Sequence, residues 1–427
     1  MKKEILDNQI KPLNLEKSFQ MFNEAKQVSP GGVLGIRGPA GAIYGEYPIF
    51  FGKVVDGMHF VDVDGNEYID YFCGLGPIIM SYAEKEINNT VIERIKKGFC
   101  FSLVPPEKLK LEKKLKEVIP CCEKTIIAKT GSDATAIALK LARAYTGKNK
   151  VICDGGYHGW HDWSNYNRSN EMSIPKQIGE LTIIVPWGDL DYTERILANN
   201  KNIAAIFVNP VFHELSMPVK GSVKYLQGLR KLADKYDVVL VFDEIRTGFR
   251  IAMGGAQEYY NVTPDLGCFA KAMGNGYAIS AVCGKKDIMD MAIDKAFISS
   301  TYFTNALEIV ATLKIIEIME RDNVIDSIRK KGSYLKDNCD KITSKYTNVK
   351  TYYATDPELS CFPLILFKEQ DKLEEKRDYF FTYLIRKGIF INPRHHGYIA
   401  FRHTKKDLNY TLEVIDEALN FLDKQYS

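Results

Sequence analysis

Two short, uninterrupted apolar runs, residues Ile203–Val208 and 238–242, constrain this chain more than any other feature. Each follows a helix-like stretch and is rich in β-branched and aromatic residues. A strand with no polar face is buried on both sides. Such strands, alternating with helices, predict an α/β fold with a mostly parallel central sheet flanked by helices. Ligands of such sheets sit at the carboxyl ends of the strands. The chain has 427 residues and is 45% hydrophobic, ample for a large core.

The rest of the chain suggests a smaller α/β domain built from both chain ends. Over 51–71, short apolar stretches alternate with turns such as Asp64-Gly65, which is hairpin punctuation. Helical periodicity begins near residue 85. Beyond 325 a second α/β stretch ends in a predicted helix over 405–424. The expected division is 1–84 (small domain), 85–325 (large domain) and 326–427 (small domain).

Bulk properties exclude several functions. A net charge of +3 offers no basic surface for nucleic acid or an anionic membrane. No apolar run reaches the roughly 20 residues that cross a bilayer. The polar N-terminus does not read as a secretory signal. Nine scattered cysteines without a C-x-x-C pair suggest reduced thiols and a cytoplasmic protein. His395, His396 and His403 lack the companions of a metal site, so no metal is expected.

Four features carry chemistry when taken together. Thr130-Gly131-Ser132-Asp133 follows the apolar stretch 125–128 and opens a predicted helix that stops at Gly147. Its free N–H groups and positive dipole end suit a phosphate, although Ser132 or Asp133 could be an ordinary N-cap. Tyr157-His158-Gly159 follows the apolar pair Val151-Ile152, and an aromatic there can stack on a flat heterocycle. Asp243 ends the run 238–242, where a carboxylate needs a partner: a protonated pyridine nitrogen, or Arg246 or Arg250. Lys271 lies among small and apolar residues, where desolvation lowers an amine pKa and favours imine formation; a snorkelling surface lysine is the plain alternative.

With these residues in this order, the chain resembles the class III, fold type I aminotransferases, and among them the glutamate-1-semialdehyde aminomutase branch. The resemblance spans roughly residues 27–420. It is strongest at V-F-D-E-I-R-T-G-F-R (241–250), G-G-A-Q-E-Y-Y-N-V-T-P-D-L (254–266) and F-A-K-A-M-G-N-G (269–276). It implies a fold type I PLP-transferase with pyridoxal 5′-phosphate (PLP) as cofactor. It implies Gly131 and Ser132 at the phosphate, Tyr157 on the ring with His158 beside it, Asp243 at the pyridine nitrogen and Lys271 as the Schiff-base lysine. It further implies that Thr301 reaches the phosphate of a neighbouring subunit, hence a homodimer with shared active sites. Arg37 and Arg394 are candidates for a substrate carboxylate, and Glu214 for the ring hydroxyl or substrate. Arg394 could equally pair with an acid of the other domain.

Departures from the family pattern lie on the substrate side. The usual E-P-V segment reads Asn209-Pro210-Val211, G-H-x-H-P is replaced around Ser81-Tyr82-Ala83-Glu84, N-P-L reads Asn305-Ala306-Leu307, and Pro393-Arg394-His395-His396-Gly397 replaces another segment. The expected function is therefore amino transfer from a donor such as glutamate to a keto or aldehyde acceptor. The alternative is the aminomutase reaction, which moves an amine within one substrate.

Overall fold

A computed structural model describes residues 6–33, 46–165, 173–214 and 217–427. They form two units: Lys85–His213 with Lys220–Ile325, and Met1–Glu84 with Glu214–Val219 and Asp326–Ser427.

The larger unit holds seven strands: β1 (Lys124–Ala128), β2 (Lys150–Cys153), β3 (Thr182–Ile184), β4 (Ile203–Val208), β5 (Val239–Asp243), β6 (Leu266–Phe269) and β7 (Ser280–Gly284). Their spatial order is β1-β7-β6-β5-β4-β2-β3. Only β7 runs against its neighbours; the other pairings are parallel. Every residue of β4 and β5 is buried, as uninterrupted apolar runs require. Successive side chains leave opposite faces of the sheet. Ala205, Phe207, Val239 and Val241 meet Ala134, Ile137, Ala138 and Leu141 on one face. Ile206, Val208, Leu240 and Phe242 meet Leu226, Leu229 and Ala233 on the other.

The helix opening after β1 is α1 (Gly131–Thr146). Thr130, rather than Ser132 or Asp133, is its N-cap. The Thr130 hydroxyl accepts from the Asp133 amide at 3.1 Å, and the Asp133 carboxylate accepts from the Thr130 amide at 2.7 Å. This reciprocal box makes Gly131 and Ser132 the first helical residues. The helix stops at Gly147 in the left-handed region, φ 67°.

In the smaller unit, strands Phe51–Asp56, His59–Asp62 and Glu67–Asp70 form an antiparallel meander. Ile389–Phe390, from the far end of the chain, pairs in parallel with Glu67–Asp70. Helices Leu373–Arg386 and Lys405–Gln425 pack together in this unit. The buried Arg386 donates to Glu46, Asp7 and the Ile10 carbonyl, which ties the N-terminal segment to the C-terminal one.

Phe207 lies in the middle of β4 with no exposed surface, its ring 4.8 Å from that of Trp163. Phe207→Ala is expected to cost about 3–5 kcal/mol. All three tryptophans, Trp160, Trp163 and Trp187, belong to the larger unit, so a urea melt followed by tryptophan fluorescence reads this loss directly. An unchanged midpoint would contradict this packing.

Candidate active site

Six strands of the larger unit, all but β7, point the same way, so the residues that follow them gather at one edge of the sheet. Asp243, the last residue of β5, is buried there. Its Oδ2 lies 2.8 Å from His158 Nδ1, and its Oδ1 accepts from the Ile245 amide at 3.2 Å. Its ion-pair partner is thus His158, not Arg246 or Arg250.

His158 lies in the loop after β2. Its Nε2 is 3.0 Å from Asp154 Oδ1. Asp154 also accepts from the amides of Asn209 (2.6 Å) and Gly156 (2.8 Å), and from Asn209 Nδ2 (3.2 Å). Burial alone would lower the imidazole pKa. The carboxylates of Asp154 and Asp243 more than offset it and raise His158 to about 9. Burial pushes Asp154 upward, but the His158 charge and the amide donors bring it below the usual aspartate range. At neutral pH His158 is therefore a cation between two carboxyl side chains, with one imidazole nitrogen donating to Asp154 and the other to Asp243.

Lys271 follows β6 and begins a short 3-10 turn, Lys271–Gly274. Its backbone is left-handed, φ 48°, a costly conformation for a side-chain-bearing residue. The side chain keeps a partial opening to solvent, yet dense protein surrounds it. Burial lowers its pKa well below the lysine range; Arg246 and Arg250 add to this, and Asp243 opposes it. The result is an amine with a large neutral fraction, able to act as nucleophile and proton carrier.

At the start of α1, no described residue accepts from the Gly131 or Ser132 amides, because the capping box uses the Asp133 amide. A Cβ on Gly131 would come within 2.7 Å of the end of the Ile245 side chain, two residues beyond Asp243, so any larger residue there would have to displace Ile245. Ser132 Oγ accepts from the Trp160 amide at 3.1 Å, and Thr135 Oγ1 donates to the His158 carbonyl at 2.7 Å. These bonds lock the 157–160 loop to the helix start. Gly159, φ 112°, passes so close to Ser132 that a Cβ would sit 2.7 Å from its hydroxyl.

The structure thus brings Gly131, Ser132, His158, Asp243 and Lys271 to one sheet edge, with Tyr157 next to His158 and 46% exposed. Thr301 is exposed, ahead of the helix Ala306–Arg321 that packs on the Lys271 turn. Glu214 and Arg394 belong to the other unit. Arg394 is exposed there, with its amide donating to Asn392 Oδ1 at 2.8 Å. Arg37 lies outside the described residues. Sequence reasoning missed Asp154. The signal was present: like Asp243, it is an aspartate directly after a buried strand. Of the adjacent acids in the D-E pair, Glu244 turns away and accepts from the Ala256 and Gln257 amides at 2.8 and 2.9 Å, bracing the following turn.

These groups fit PLP. Amides at a helix start suit its phosphate, a buried carboxylate suits a protonated pyridine nitrogen, and a desolvated lysine suits its aldehyde.

The His158 row has a pH signature. A group whose pKa rises from 6.5 to about 9 on folding stabilises fully below pH 6.5, and that contribution is lost as pH rises through 9. Between these limits the native protein is expected to lose about 3 kcal/mol that His158→Gln does not lose. Parallel unfolding profiles for the two proteins from pH 6 to 9.5 would refute the charged row.

The class-III aminotransferase family profile matches residues 44–422. The chain is 47% identical over 417 residues to the 3-aminobutyryl-CoA aminotransferase of Cloacimonas acidaminovorans, covering 95% of this chain and 97% of that protein. It is 33% identical over 435 residues to the glutamate-1-semialdehyde 2,1-aminomutase of Methanosphaera stadtmanae, covering 96% and 100%. Among solved structures it matches the PLP internal aldimine form of the FumI protein of Sphingopyxis sp. MTA144, with a TM-score of 0.88, 25% identity, and 96% and 97% of the two chains covered. The chain belongs to the class-III aminotransferases, PLP-dependent enzymes of fold type I.

Proposed function

We propose that this enzyme transfers an amino group between a β-amino acyl thioester of the 3-aminobutyryl-CoA kind and a 2-oxo acid such as 2-oxoglutarate. The observation that carries this substrate class is the 47% identity, along nearly the whole of both chains, to a protein named for that substrate. The departures around Ser81–Glu84, Asn209 and Pro393–Gly397 favour a reaction other than the aminomutase one, although 33% identity to an aminomutase keeps that reading as the second candidate.

When bound, PLP supplies a flat, protonated ring that takes up the electron pair left on the substrate carbon. The chain's own residues then divide the work. Lys271 would hold the cofactor and, once released, carry a proton from the substrate carbon with its neutral amine. Asp243, fixed in place by His158, would hold the proton on the ring nitrogen. Tyr157 would cover a face of the ring, and the amides of Gly131 and Ser132 would hold the phosphate. Glu214, Arg394 and Arg37 are assigned to the substrate side.

Thr301 would serve the neighbouring subunit. Around it Ile293, Phe297 and Tyr302 are exposed, Phe297 by 83%, an apolar surface suited to a second copy of the chain. Light scattering should give twice the chain mass; a monomer with full activity would exclude a shared site. Among the described residues no helix is long and apolar enough to cross a membrane. The nine free cysteines suit a reducing compartment such as the cytoplasm.

Purified enzyme given 3-aminobutyryl-CoA and 2-oxoglutarate is expected to form glutamate, and Lys271→Ala should lower the rate by at least about 10²–10⁴-fold and abolish the visible absorbance of the bound cofactor. Formation of 5-aminolevulinate from glutamate-1-semialdehyde alone, without glutamate from the thioester, would replace this reading with the aminomutase one.

A further inference from the structure

We propose that Asp154, with Asn209 beside it, is a positioning residue for amino transfer: it keeps both nitrogens of His158 protonated, so that His158 donates to Asp243 and fixes its carboxylate. This rests on the reading of Asp243 as the ring-nitrogen partner.

The geometry follows from strand order. Asp243 ends β5, Asn209 follows β4 and Asp154 follows β2, so the two aspartates are separated by one strand and His158 bridges them. A neutral imidazole has one N–H and can donate to only one of two flanking carboxylates. The other would face a lone pair in a buried setting and would take up a proton itself. The hydrogen bonds decide which one. Asp154 receives three N–H donors, from Asn209 N, Asn209 Nδ2 and Gly156 N, and these favour its ionised form. Asp243 receives one backbone donor, Ile245, at 3.2 Å. Without a second proton on His158, Asp243 would therefore be the carboxylate that loses its side-chain donor, keeping only the Ile245 amide, and it would no longer be fixed to face a protonated ring nitrogen.

Asn209 completes the device by supplying two donors without a third negative charge. Asn209 Nδ2 also lies 3.3 Å from His158 Nε2, beside the Asp154 carboxylate that both nitrogens share, and the rings of Trp163 and Phe207 pack against the imidazole. On its far side Asp243 acts on Lys271, as do Arg246 and Arg250. The row thus runs Asp154, His158, Asp243, and its hydrogen bonding hinges on the second proton of His158.

The test is imidazole ¹⁵N NMR of the histidine-labelled holoenzyme, with the pH profile of kcat and of the cofactor's visible band. His158 should carry two protons through neutral pH. Asp154→Asn, nearly isosteric, should lower its deprotonation midpoint by about 1–3 pH units. It should also move the pH midpoint of the visible band and reduce kcat more than KM. Asp154→Glu should restore much of all three. Asn209→Asp should shift the His158 midpoint upward. An unmoved midpoint in Asp154→Asn overturns the proposal, and so does a moved midpoint with unchanged band and kcat profiles. If Asp154→Asn does not fold, Asn209→Asp decides alone: an upward shift supports the proposal and no shift overturns it. The same NMR series on cofactor-stripped protein keeps the two readings separate. A wrong cofactor assignment appears as a visible band that survives Lys271→Ala, whatever His158 does.

Discussion

A carboxylate buried at the end of a buried strand is the constraint around which this enzyme is arranged. Asp243 cannot remain ionised in that position without a compensating charge. The compensation is not an arginine, which would neutralise it permanently. It comes from His158, whose own charge is secured by Asp154. The Asp243 carboxylate is thereby held in place, one oxygen on His158 and the other on the Ile245 amide. The 157–160 loop is pinned to α1 for the same reason: a mobile His158 would leave Asp243 uncompensated. Ser132 and Thr135 provide those pins, and Gly131 and Gly159 provide the space for them.

The sheet makes the arrangement possible. Parallel strands deliver their carboxyl ends to one edge, so residues as distant in sequence as 131, 158, 243 and 271 become neighbours without long loops. Two-sided burial of β4 and β5 fixes the positions of Asn209 and Asp243 through close packing. The cost appears at Lys271, where the chain leaves β6 with a left-handed backbone and a desolvated amine. Strain and desolvation at one residue are characteristic of a functional site, and both favour a reactive neutral amine.

Much of this was legible in the chain. Uninterrupted apolar runs this short and this rich in β-branched and aromatic residues fit strands covered on both faces, so the α/β layering followed from 203–208 and 238–242. Asp243 and Lys271 were readable because each contradicts its apolar surroundings. The helix cap was misjudged by two or three residues because Thr130, Ser132 and Asp133 are all good caps, and only the reciprocal bond between Thr130 and Asp133 selects one. Of the partners open to Asp243, Arg246 and Arg250 are close in sequence, whereas His158, which pairs with it inside the protein, is close only through the order of β2, β4 and β5. Asp154 went unread because its role depends on that same order. The substrate side is least legible, since recognition of a substrate depends on the shape of a pocket rather than on the spacing of residues.

The central claim is that Lys271 carries the cofactor. Borohydride reduction of the purified holoenzyme, followed by digestion and mass spectrometry of its peptides, tests it most directly. The account predicts a single pyridoxyl phosphate adduct on the peptide containing Lys271. An adduct on another lysine, with the Lys271 peptide unmodified, would contradict it.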